Sequence, residues 1–148
     1  MENNNSKIEK LLSDVEVILL LIDNEAYKTT KKSYEHELFG KTILDWVKVA
    51  VSGTSIKEVK ANKTDDVLTT IKPHLSDKKY TVVLYSDTPL LTKKTFLEVL
   101  EYVKIKELST LKLTRGFVFE TEYIKNIDKI YNPQTAYFNE EDFMAAYN

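Results

Sequence analysis

The run Tyr80-Thr81-Val82-Val83-Leu84-Tyr85 constrains the fold of this chain more than any other segment, because it is apolar, rich in β-branched residues and almost without polar alternation. A run of that kind predicts a strand covered on both faces, as in parallel sheets. Val15 to Ile22 has the same character and predicts the central strand. The first run ends in Ser86-Asp87-Thr88-Pro89 and then opens into a helical pattern. Open α/β sheets collect ligands outside the carboxyl ends of their strands, so Asp87 is the candidate residue for handling a metal or a phosphate. The local alternative is that Asp87 bonds the backbone of its own turn ahead of Pro89.

Between and after these runs the pattern alternates. Ser6 and Glu9 have the spacing of a capping box and predict a first helix carrying Leu11 and Leu12. Asp23 to Glu37 is polar and irregular and predicts a long loop. Thr42 to Val51 carries an apolar helical face and ends at Ser52-Gly53. Ile56 to Ala61 predicts a short strand, and Thr64-Asp65-Asp66 caps a helix running to Leu75, weakened in its last turn by Pro73. Thr92 caps a helix bearing Phe96, Leu97, Leu100 and Val103; Leu111 to Glu120 predicts one further strand; Thr121 to Ile130 and the segment after Asn139 predict short helices. This succession predicts one three-layer Rossmann-type α/β domain over residues 1–148, with a mostly parallel sheet. A chain of 148 residues buries roughly 70% of its unfolded surface and needs no disulfide or structural metal to fold.

Composition closes off several function classes. There is no cysteine, hence no thiolate zinc site and no cysteine nucleophile. His36 and His74 lack the i, i+4 spacing of a two-histidine zinc helix. The net charge is −2 with basic and acidic residues interspersed, which argues against a nucleic-acid partner. The longest apolar run falls far short of the ~20 residues of a membrane helix, and the Met1-Glu2-Asn3-Asn4-Asn5 start lacks a secretory pattern, so a cytoplasmic protein is expected. Phe39 and Trp46 are expected in the core. Tyr123, Tyr131, Tyr137 and Tyr147 are candidates for a protein-binding or self-association surface.

Four segments resemble the nucleotidyltransferase domain of bacterial sugar-phosphate uridylyltransferases of the N-acetylglucosamine-1-phosphate type, within the nucleoside-triphosphate transferase family. Leu38-Phe39-Gly40-Lys41-Thr42-Ile43-Leu44 is similar to that family's L-x-G-K-P-x-L stretch. Val83-Leu84-Tyr85-Ser86-Asp87-Thr88-Pro89-Leu90-Leu91-Thr92 is similar to V-L-x-G-D-x-P-L-L-T. Asn132 to Asp142 echoes N-x-Q-x-E-Y-Y-L-T-D, and Thr114-Arg115-Gly116-Phe117-Val118-Phe119 resembles the N-T-G-I-Y-x-F strand between them.

The resemblance implies transfer of a nucleotidyl group from a nucleoside triphosphate to a phosphorylated sugar or alcohol. It implies that Asp87 holds Mg2+, that Lys31 or Lys32 contacts phosphate, and that Thr64 and Thr114 line the base and sugar sides. This sequence also departs from the family pattern. The glycine-rich loop after the first strand corresponds to Leu21-Ile22-Asp23-Asn24-Glu25-Ala26-Tyr27-Lys28, which has no glycine and adds acids where phosphates would sit. The sugar-side excursion between Val103 and Leu111 is short, and the family's second metal-binding residue would fall beyond Asn148. A catalytically inactive member that binds nucleotide or protein is therefore the alternative implied. Arg115 either reaches the pocket or forms an edge salt bridge.

Overall fold

The computed structural model describes residues 4–22, 32–131, 133–136, 138 and 140–143. In chain order the elements are α1 (Asn4–Ser13), β1 (Val15–Leu21), β2 (Glu37–Leu38), β3 (Lys41–Thr42), α2 (Ile43–Ala50), β4 (Ser55–Lys60), α3 (Val67–Ile71), β5 (Tyr80–Tyr85), α4 (Lys93–Lys106), β6 (Thr110–Leu113), β7 (Gly116–Glu120), α5 (Thr121–Lys125) and β8 (Gln134–Thr135). Short 3-10 turns cover Ser33–Glu35, Lys72–His74 and Glu140–Phe143.

Six strands form one sheet in the order β4-β1-β5-β7-β6-β8. The two runs singled out in the sequence lie side by side and parallel, with Val15 beside Tyr80 and Leu20 beside Tyr85. On the other side of β1 lies β4, also parallel, with Val17 beside Ile56. Every residue from Val15 to Leu20 is buried, which explains the missing alternation: both faces of β1 are covered.

Side chains alternate between the two faces. Val15, Val17, Leu19, Val82 and Leu84 pack with Leu12 of α1, Val47 and Ala50 of α2, and Phe96, Val99 and Leu100 of α4. Ile18, Leu20, Val83 and Phe119 pack with Leu68 and Ile71 of α3 and Ile124 of α5. These are the three layers, helices on both sides of a sheet, and each fully buried side chain of this size contributes about 1.5–3 kcal/mol by leaving water.

Several expectations change in detail. Residues 111–120 are not one strand: Leu113 pairs with Gly116, so Thr114-Arg115 is a two-residue turn joining β6 to β7. β7 then runs antiparallel to β5, with Val83 opposite Phe117. Helix α1 begins at Asn4, which places Ser6 inside its first turn rather than at its cap. The helix expected to run from Asp66 to Leu75 is α for five residues and becomes 3-10 at Lys72, where Pro73 enters. Phe39 is not in the core: it sits at the tip between β2 and β3 at φ 51 and is 89% exposed, with Gly40 at φ 85 completing the turn. The segment after Asn139 forms a 3-10 turn over Glu140–Phe143.

Candidate functional site

The carboxyl end of the sheet is built by the bend after β5. Ser86 is fully buried and joins two strands at once, because its N–H donates to the Leu20 carbonyl at 3.0 Å and its hydroxyl accepts the Ile22 N–H at 3.1 Å. Thr88, also buried, donates its hydroxyl to the Tyr85 carbonyl at 3.1 Å and closes the turn. Thr92 then caps α4 by accepting the Thr95 N–H at 3.2 Å. The bend is thus held by its hydroxyls.

Asp87 is left to face sideways. Its residue is 7% exposed, and its Oδ1 accepts a hydrogen bond from Arg115 Nη2 at 2.7 Å, an ion pair as well as a hydrogen bond. Arg115 arrives from the β6–β7 turn, and the reason it can is its neighbour. Gly116 sits at φ 137, and a Cβ there would lie 2.5 Å from the Val83 carbonyl oxygen. Only glycine lets β7 lie this close to β5, so the sequence Arg115-Gly116 delivers the guanidinium to the acid. The guanidinium also lies over the Tyr85 ring, 4.7 Å from its centroid. Burial pushes the Tyr85 phenol above its usual range, opposed by the Arg115 charge and reinforced by Asp87. Arg115 Nε is buried with no hydrogen-bond partner among the described residues, while the side chain as a whole is one-third exposed.

Of the other candidates, Thr114 and Thr64 lie on connections at this end of the sheet. Thr114 is exposed in the same turn as Arg115. Thr64 is exposed in the segment between β4 and α3, two strands from β5, which is about 10 Å across at ordinary strand spacing. Asp66 beside it caps α3, accepting the Thr69 N–H at 2.9 Å and its hydroxyl at 2.7 Å, and these bonds lower its pKa. Lys32 is exposed and its carbonyl accepts the Glu35 N–H at 2.9 Å at the entry to the first 3-10 turn. Lys31 lies outside the described residues, as do Tyr137 and Tyr147; Tyr123 and Tyr131 are exposed. The structure brings together Asp87 and the Thr114-Arg115 turn. The sequence reading had named Arg115 without fixing its partner, and the cue was the Thr-Arg-Gly triplet, a two-residue turn closed by a glycine.

α2, the first α-helix after β1, packs on one face of the sheet, and α3, the first after the adjacent β4, packs on the other. In open α/β sheets a change of face between neighbouring parallel strands is the usual place for a ligand. A separate groove of about 1060 Å³ runs between α1 and α4, lined by Ile8, Leu11, Leu97 and Ile105 among others, and includes none of the rim residues.

A magnesium site needs carboxylates and waters in near-octahedral array. Among the described residues no group of three or more histidines, aspartates or glutamates is placed to hold a metal. The carboxylate expected to do so is already engaged by a guanidinium. One or two carboxylates with substrate phosphates suffice for the ion, so what speaks against a fit is that Asp87, as paired here, would have to release Arg115 first.

The layers and strand order define a nucleotidyltransferase-like α/β fold. Two solved structures share it. The 4-diphosphocytidyl-2C-methyl-D-erythritol synthase of Anaerococcus prevotii superposes with a TM-score of 0.57 over 90% of this chain and 94% of that one, at 6% identity. A cytidylyltransferase from Leptospira borgpetersenii superposes with a TM-score of 0.53 over 80% of this chain and 66% of that one, at 10% identity. At these identities the likeness establishes the fold. In sequence, the chain is similar to the bifunctional protein GlmU of Acetivibrio thermocellus, with 31% identity over 112 residues, taking in 58% of this chain and 24% of that protein. The chain thus spans about a quarter of the length of this relative. No protein-family model matches it. The resemblance to nucleoside-triphosphate transferases read from the motifs is met by this relative in sequence and by the solved structures in fold. No helix among the described residues is long and apolar enough to cross a membrane.

Proposed function

We propose that residues 1–148 act as one reduced nucleotidyltransferase-like domain whose carboxyl rim binds a nucleotide or another phosphorylated ligand, and that its work is binding rather than nucleotidyl transfer. The observation that carries this reading is the pairing of Asp87 with Arg115. In the reaction implied by the sequence resemblance, charge developing on phosphate is offset by a metal and by close positioning, and almost all the catalysis rests on those two. Here the acid that would hold the metal holds an arginine. What the rim keeps is a cation suited to phosphate, with the exposed Thr114 beside it and the exposed Thr64 on the segment that follows β4.

A second reading is favoured by the similarity to the GlmU protein and by the motif around Asp87. It is a magnesium-dependent transfer from a nucleoside triphosphate to a sugar phosphate, with Lys31 or Lys32 on phosphate, and it requires Arg115 to leave Asp87. Titration calorimetry with the four ribonucleoside triphosphates, run beside a pyrophosphate-release assay with sugar 1-phosphates and magnesium, separates the two. Heat of binding without pyrophosphate release is the expected result. Acceptor-dependent release that vanishes in Asp87→Ala would establish the transferase instead.

A further inference from the structure

We infer that Arg115 stands in the place of a divalent cation on Asp87, so that the rim takes phosphorylated ligands without any metal. This rests on the binding reading just given and adds the means of recognition. Three observations carry it. The Asp87 carboxylate meets Nη2 at 2.7 Å, the length of a strong charge-assisted hydrogen bond, so the acid's negative charge is already offset. The guanidinium is held on a further side over the Tyr85 ring, and the turn that carries it is set by Gly116, whose missing Cβ is what allows the close approach to Val83. A third of the side chain is open to solvent, and Nη2 to Asp87 is its only hydrogen bond within the described residues, so donors remain for an incoming anion.

A guanidinium presents five donors in a planar fork that matches the oxygens of a phosphate, and it cannot be deprotonated. Paired with an acid on one edge and stacked on an aromatic face, it is pre-organised for an anion on the other edge. A metal ion arriving at Asp87 would instead have to displace this arginine. That would strip the one hydrogen bond from a guanidinium whose Nε is already buried without a partner. The ligand class is therefore a nucleoside polyphosphate in its metal-free form, with its phosphate on Arg115.

The test is calorimetric titration of the whole protein with uridine, cytidine, adenosine and guanosine triphosphates, once in excess EDTA and once in excess magnesium. At least one nucleotide is expected to bind in EDTA with an affinity within about threefold of that in magnesium, or tighter. Arg115→Met should weaken binding in EDTA by about tenfold or more, the scale of one lost charged hydrogen bond, and Arg115→Lys by less. Binding that disappears in EDTA and returns with magnesium overturns this inference and leaves the rim as a nucleotide site. No binding of any nucleotide in either condition overturns the binding reading and this inference with it. Because the EDTA comparison uses the unsubstituted protein, it decides the matter even if an Arg115 variant fails to fold.

Discussion

Among the described residues two acids are buried, Glu16 and Asp87, and each has a cation, yet the two pairs differ in kind. Glu16 lies near the amino end of β1, 1% exposed, with its Oε1 3.2 Å from Lys57 Nζ on β4. That contact is an ion pair by distance but lacks hydrogen-bond geometry, and Oε1 is left without a hydrogen-bond partner. Lys57 meanwhile donates to the His74 carbonyl at 2.8 Å and so braces the end of the α3 segment. Asp87 lies at the opposite, carboxyl end, and its partner is a short-range, hydrogen-bonded guanidinium carried on a turn. The amino-end pair sits within regular strands and ties them together; the rim pair sits on two connections, where a side chain can meet something outside the protein. Burial of an acid therefore does not by itself mark a site. What marks it is the end of the strand at which the acid falls.

Four substitutions put this contrast to the test. Gly116→Ala forces a Cβ into the Val83 carbonyl at a positive φ and should cost about 3 kcal/mol or more in urea unfolding, with the loss centred on the rim. An effect below about 1 kcal/mol would mean that β7 has room to shift and that Arg115 is not held as described. Lys57→Ala leaves Glu16 buried and uncompensated and should lower stability by about 2 kcal/mol, below the full cost of breaking a buried pair because Lys57 is partly exposed. Nucleotide affinity should not change.

Arg115→Met also leaves a buried acid without its cation and should cost about 2 kcal/mol in unfolding, but unlike Lys57→Ala it should weaken nucleotide binding by about tenfold or more. If Arg115→Met leaves nucleotide affinity unchanged, or Lys57→Ala lowers it as much, the assignment of one pair to structure and the other to function fails. The exposed acid Asp66 supplies a reference without burial. Its capping bonds to Thr69 lower its pKa, so its contribution is complete above the unfolded aspartate value of about 3.9 and fades as the pH falls through its lower folded value. Asp66→Ala should cost about 1 kcal/mol near neutrality and nothing once the acid is protonated, as measured by thermal melts across acidic pH.

Much of this architecture is legible in the sequence because burial leaves a mark there. Val15 to Leu21 and Tyr80 to Tyr85 are buried on both faces and contain little else than apolar residues, so their strand character and parallel pairing can be read directly. The cap Thr92 is equally plain, and the Thr64-Asp65-Asp66 start narrows to Asp66 in the structure; in both the side-chain oxygen lies three residues before the amide it accepts, as it does at Thr42, which the sequence marks only as the start of an apolar face. The β6–β7 hairpin is less so. Thr110 to Glu120 has the composition of one strand, and its reversal depends on a two-residue turn whose glycine is needed for approach to Val83, a residue distant in sequence. The site follows the same rule. Asp87 can be found from its place after a buried strand, but its partner is set by tertiary contact across 28 residues, and no spacing encodes that. Phe39 misleads for a similar reason: an aromatic residue reads as core, whereas the positive φ of a tight turn carries it into solvent.

The most direct measurement is nuclear magnetic relaxation of the backbone amides on addition of substoichiometric Mn2+, a paramagnetic ion that takes the oxygen ligands of magnesium. With Arg115 occupying Asp87, the amides of Asp87, Thr88, Arg115 and Gly116 should keep their linewidths, and a nucleoside triphosphate added in EDTA should then shift those same signals. Selective broadening centred on Asp87 at low Mn2+, in the absence of nucleotide, would show a metal seated on the acid and would contradict the account.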